Sequence, residues 1–116
     1  MKKDWHPSGC QSMVALGEST TARGWSTSPN RCWVATLAAL INDFQSIPVA
    51  LVNSGIGVNV ISTCSPAYMH SGKLAADERL NKHVIDHQPD LLIISYGLND
   101  ARGGTPLDLF REKLVA

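Results

Sequence analysis

The chain has 116 residues, 44% hydrophobic and 17% charged, which suits one globular domain over 1–116. A chain of this size buries about 60–68% of its unfolded surface, enough for one core. Ten basic and ten acidic residues cancel to a formal net charge of +0 with no long run of either sign, which argues against nucleic acid or an anionic membrane as partner. Cys10, Cys32 and Cys64 are widely spaced, odd in number and without a CxxC pair. They read as thiols in a reducing compartment, not as a disulfide framework or zinc site. Met1-Lys2-Lys3 is a basic start, but no apolar signal core and no membrane-length run follows it, so the expected location is the cytoplasm.

Residues 1–11 are polar with Pro7 and Gly9 and read as a lead-in. Met13–Leu16 is a first short apolar strand that stops at Gly17, with Ser19 just past its end. Residues 25–30 carry turn chemistry. A helix is expected from Arg31 to Phe44, with Trp33, Leu37, Leu40, Ile41 and Phe44 on its buried face. Val49–Val52 reads as a second strand, ending in the turn Asn53-Ser54-Gly55-Ile56-Gly57. Ser62–Lys73 reads as a long irregular loop. Leu74–His87 reads as a second helix, with Leu80, Val84 and His87 on one face and Lys73, Asp77, Glu78, Arg79 and Lys82 mostly in water. Leu91–Ser95, LLIIS, is a near-continuous apolar run, suited to a parallel strand covered on both faces. Asn99-Asp100 falls in the turn after it. Thr105 and Pro106 are an N-cap and first-turn pair that open a third helix running to Ala116.

The alternation of strand and helix predicts an α/β fold with a parallel sheet and right-handed crossovers. If the first and third strands pair and the second lies outside the first, the order is 2-1-3, with a topological switch point between the first and third strands. Ser19, Gly55-Ile56-Gly57 and Asn99-Asp100 then meet at one rim. A serine hydroxyl needs a base to take its proton. The oxyanion formed by its attack needs fixed donors. A backbone N–H at Ser19, another in the glycine turn and the neutral amide of Asn99 are candidates for that role.

Three blocks in this order resemble the SGNH, or GDSL, serine ester hydrolases. Gly17-Glu18-Ser19 matches the Gly-Asp-Ser block, Asn53-Ser54-Gly55 the Asn-x-Gly block, and Gly97-Leu98-Asn99-Asp100 the Gly-x-Asn-Asp block. The resemblance covers about Met13 to Ala116. It implies a flavodoxin-like three-layer α/β/α sandwich. It also implies Ser19 as nucleophile and first oxyanion donor, a second donor from Gly57 (or Val58), and Asn99 as the third. The substrates it implies are small-molecule esters, with no cofactor. Gly55 and Gly57 lack the third glycine of a dinucleotide loop, so a nucleotide reading is weak.

The chain departs from the family pattern at three places. Glu18 stands where the family has aspartate, one methylene longer. Val58 aligns with the family's oxyanion glycine, although valine resists a positive φ; either the turn is extended here or Gly57 supplies the donor. No Asp-x-x-His occurs, so the family's base block has no counterpart among His6, His70, His83 and His87. His70 is the one histidine expected in a loop on the Ser19 rim and is the candidate substitute base; His83 and His87 are expected to face away. Asp100 reads as structural, Trp25 and Trp33 as packing residues, and Tyr96 and Arg102 as rim residues.

In a 2-1-3 sheet Leu91–Ser95 forms an apolar edge, an aggregation liability. The expectation is that the chain is the first part of a longer hydrolase or pairs edge to edge with another copy. A non-catalytic acyl- or carbohydrate-binding or assembly module on the same scaffold is the rival reading.

Overall fold

The computed structural model describes residues 9–23, 26–45 and 47–115. Most of the polar lead-in, Trp25 and Ala116 lie outside them. Three parallel strands form one sheet in the order β2-β1-β3: β1 Ser12–Gly17, β2 Ala50–Gly55 and β3 Leu91–Ser95. This is the strand order expected from the sequence. Central β1 pairs with both neighbours, and its Gly17 faces Gly55 on one side and Ser95 on the other. All three strands therefore end level, and the turns that follow them share one rim.

Side chains alternate across a strand, so β1 feeds two separate cores. Met13 and Ala15 pack with Cys32, Val34 and Ala38 on one face. Val14 and Leu16 pack with Ile61, Ala76 and Val84 on the other. The first face is covered by α2, Trp33–Gln45. The second is covered by α4, Ala76–His83, with Val84 following it and Phe110 of α6, Leu107–Val115, alongside. Helix, sheet and helix give the three layers that the resemblance implies. The remaining helices are short: α1 Ser19–Ala22, α3 Tyr68–Ser71 and α5 Leu98–Arg102, with 3-10 turns at Pro29–Arg31 and Ile85–His87.

Several expectations need correction. β2 continues through Asn53, Ser54 and Gly55 because β1 extends its ladder to Gly17 opposite them. The buried face of α2 is Val34 and Ala38 with the half-buried Leu37 and Ile41, the latter two as expected, while Trp33, Leu40 and Phe44 are exposed. The small residues win that face because they let the helix approach Met13 and Ala15 closely. Trp33 is accordingly a surface residue of the helix start, not a core one. The second helix is shorter than expected and breaks at Val84, and α3 interrupts the expected loop. β3 is covered only in part: Leu91 and Ile93 pack on one core and Leu92 on the other, but the strand lies at the sheet edge and Ile94 is 42% exposed. The three cysteines are free thiols, Cys32 buried and Cys64 exposed. Among the described residues no helix is long and apolar enough to cross a membrane.

Candidate active site

At the rim, α1 begins directly after β1. Gly55 makes this possible, because a Cβ there would collide with the backbone of Thr21 and Ala22. Asn53 then closes the end of α1. Its amide donates to Thr21 O at 2.8 Å and to Ala22 O at 3.3 Å, serving carbonyls that a helix C-terminus leaves unpaired. The second block thus holds the first in place. Ser19 itself is half-buried, at the first position of α1. The turn after β2 passes close by: a Cβ on Gly57 would lie 4.0 Å from Ser19 Cβ. Val58 takes the left-handed conformation with φ +57, the backbone state that the family's glycine would adopt freely. Valine bears a steric cost in that conformation.

Glu18 joins the first block to the third. It is 2% exposed, and its Oε2 accepts the Asn99 backbone N–H at 3.2 Å. Burial holds its carboxyl above the ordinary glutamate value, opposed by the backbone N–H groups of Asn99, Leu98 and Gly97 and reinforced by the nearby Asp100 charge. The extra methylene of glutamate therefore still reaches the start of α5. Asn99, half-buried, is fixed from both sides, since its side-chain Nδ2 donates to Asn59 O at 3.0 Å. That leaves the second Nδ2 proton without an acceptor among the described residues. The backbone N–H groups of Ser19, Gly57 and Val58 are likewise free of hydrogen bonds among the described residues.

Asp100 stitches the turn after β2 to α5. Its carboxylate accepts Ile61 N at 3.0 Å, Ser65 Oγ at 2.9 Å and Thr105 Oγ1 at 2.9 Å, and the residue is 2% exposed. The sequence reading missed a second network behind Asn99. Arg79, expected in water, is 1% exposed. Its Nη1 donates to Asn59 Oδ1 at 2.9 Å and to Tyr96 OH at 2.8 Å, its Nη2 to Ser54 O, and its Nε to His83 Nδ1 at 3.1 Å. Tyr96 in turn donates to Asn59 Oδ1 at 2.5 Å, so it is an internal residue of this network, not a rim residue. Burial pushes the Tyr96 hydroxyl up to about 12, with the Arg79 charge opposing. The signal was present as the stripe Ala76, Arg79, His83, at three- and four-residue spacing, obscured by the more apolar Leu80. Leu80 is 40% exposed.

His70 is exposed on α3, and His83 and His87 line a recess with Asn53–Ile56 whose wall does not include Ser19. Among the described residues no histidine hydrogen-bonds Ser19. No group of three or more His, Cys, Asp or Glu converges as a metal site among those residues either.

No curated protein matches the chain in sequence. Solved structures do match in fold. The SGNH-hydrolase family esterase AlinE4 is 23% identical with TM-score 0.65, covering 96% of this chain and 51% of that one. The psychrotrophic esterase EstA from Pseudoalteromonas sp. is 20% identical with TM-score 0.65, covering 90% and 49%. Axe2, an acetyl xylan esterase from Geobacillus stearothermophilus, is 23% identical with TM-score 0.58, covering 91% and 47%. The chain thus spans about half the length of these structures. The profile of the GDSL-like lipase/acylhydrolase family matches residues 15–116, nearly the whole chain and all three sequence blocks, and the chain belongs to that family.

Proposed function

We propose that the chain carries the nucleophile and oxyanion hole of a serine ester hydrolase. Ser19 Oγ attacks the ester carbonyl and a general base takes its proton. The Ser19 N–H, the N–H of Gly57 or Val58, and the unspent Nδ2 proton of Asn99 receive the oxyanion. The observation that carries the reading is the Glu18–Asn99 hydrogen bond, which binds the residue before Ser19 to the residue offering the amide. The N–H groups of Ser19, Gly57 and Val58, unspent among the described residues, are available for that role.

Among the described residues no histidine hydrogen-bonds Ser19. In a serine-hydrolase precedent, removing the histidine costs about a millionfold in kcat, and binding with the oxyanion hole retains roughly 10³–10⁴ over water. On that precedent a chain whose base does not reach Ser19 keeps only the residual cleavage given by its hole and binding, and a Ser19-dependent rate requires a base that reaches the hydroxyl. Hydrolysis of p-nitrophenyl butyrate by the chain, by Ser19→Ala and by His70→Ala tests this. A rate lost in Ser19→Ala supports it, and a fall in His70→Ala would make His70 the substitute base. Equal rates in the chain and Ser19→Ala would show that no base serves Ser19 in this chain, and equal rates together with no loss in Asn99→Ala would refute the reading.

The lack of a histidine on Ser19 among the described residues favours a second reading, a non-catalytic acyl- or carbohydrate-binding or assembly module. Tight binding of an acyl or glycan ligand without any Ser19-dependent turnover would select it.

A further inference from the structure

Arg79 poses a physical problem. A guanidinium that is 1% exposed is costly unless a counter-charge compensates it. All four of its partners, Asn59, Tyr96, Ser54 and His83, are neutral acceptors, and it makes no ion pair among the described residues. The acids of its own helix are turned elsewhere. Asp77 accepts Ser62 Oγ at 2.7 Å and Thr63 N at 3.2 Å, and Glu78 accepts Ala75 N at 2.9 Å and Tyr68 OH at 3.1 Å. Asp86, in the following 3-10 turn, is exposed and lies outside the recess that Arg79 borders.

That recess, about 360 Å³, opens at the carboxyl end of β2. Its charged and titratable lining is Arg79, Lys82, His83 and His87, with no carboxylate. The rest of its wall is Asn53–Ile56, the stretch that leads into Gly57 beside Ser19. The Arg79 Nε–H occupies His83 Nδ1, so in the neutral ring the proton is on Nε2, leaving a donor. Ser54 Oγ donates to His83 O at 3.2 Å, fixing the helix end against the strand end. Burial and the neighbouring Arg79, Lys82 and His87 hold the His83 imidazole below its ordinary value, as an unbalanced positive field would.

We propose that this recess is an anion subsite: it takes a carboxylate or phosphate group between His83 Nε2–H, Lys82 and His87, with Arg79 as the buried counter-charge beneath. Such a group forms charge-assisted hydrogen bonds and supplies the negative charge that Arg79 lacks. Two sources offer this chemistry, a free anion or an anionic group on the ester itself. The second rests on the ester-hydrolase reading and narrows its substrates to acids such as hemi-esters of dicarboxylates.

The test uses the 116-residue chain and follows the His83 ring signals by NMR while inorganic phosphate or acetate is added, with chloride at equal ionic strength as control. Saturable shifts at His83 and a rise in its pKa are expected. Lys82→Ala/His87→Gln, both exposed positions, should weaken binding by about tenfold or more, since two of the three contacts to the anion are lost. A His83 response no different from that to chloride overturns the proposal. A second arm compares mono-p-nitrophenyl succinate with p-nitrophenyl acetate as substrates. If the substrate is the source, the double variant loses about tenfold in kcat/KM on the succinate ester alone. If both esters respond equally while phosphate still binds, the subsite is real and its occupant is a free anion. If neither ester is cleaved, the hydrolase reading fails and the binding arm alone decides the subsite.

Discussion

Val58 tests the rim through its backbone. It holds φ +57 while 59% exposed. Two truncations, Val58→Ala and Val58→Gly, separate that conformation from packing, because both delete the two γ-methyls of a largely exposed side chain and differ only by Cβ. At an ordinary position alanine is more stable than glycine by about 0.5–1 kcal/mol, from the entropy glycine gains when unfolded. In the left-handed region alanine keeps a steric cost of roughly 1–2 kcal/mol that glycine escapes. The difference leaves Val58→Gly more stable than Val58→Ala by about 0.5–1 kcal/mol, an inversion of the usual order. Urea unfolding of both variants measures it, supported by a melting difference of about 2–6 °C. Alanine more stable than glycine would show that the turn after β2 does not hold the strained geometry, and would remove the basis for placing its N–H groups at the rim.

Three further outcomes follow from the same contacts. Asp100→Ala should cost about 3–5 kcal/mol in urea unfolding, since it leaves buried donors at Ile61 and Ser65 unpaired; Asp100→Asn, which keeps one acceptor, should cost less, and a loss under about 1 kcal/mol for alanine would contradict the assignment. Glu18 has a raised folded pKa, so the stability it contributes is complete below the ordinary glutamate value and is lost as pH rises through the folded value. Glu18→Gln, still able to accept the Asn99 N–H, should flatten stability against pH over that window; an unchanged profile would refute the raised value. Gly55→Ala should destabilise by about 2 kcal/mol or more because its Cβ meets the α1 backbone, whereas Gly57→Ala, whose Cβ would have only an ordinary contact at 4.0 Å, should stay within about 1 kcal/mol.

The fold was legible where residues of one kind repeat at one period. Met13 to Leu16 and Leu91 to Ser95 announce strands, and their order with the helices leaves few topologies. That the turns after the strands share a rim followed from connectivity alone. The helix faces were less legible. On α2 the larger side chains Trp33, Leu40 and Phe44 drew the predicted face, but close approach to Met13 and Ala15 selected Val34 and Ala38. On α4 the apolar Leu80 hid Arg79, because a buried guanidinium is recognised only through acceptors far away in sequence, Asn59 and Tyr96 among them. The strand-end residues Asn53 and Glu18 were read as motif members, but their bonds to Thr21 and Asn99 depend on register and reach, which no local pattern encodes.

The account depends above all on Ser19 being a nucleophile at an assembled oxyanion site. Incubation with a fluorophosphonate, followed by peptide mass mapping, measures this directly. The account predicts a phosphonyl adduct on the peptide bearing Ser19, absent in Ser19→Ala and formed at least about tenfold more slowly in Asn99→Ala. An adduct that survives in Ser19→Ala, or one whose rate ignores Asn99, would contradict it.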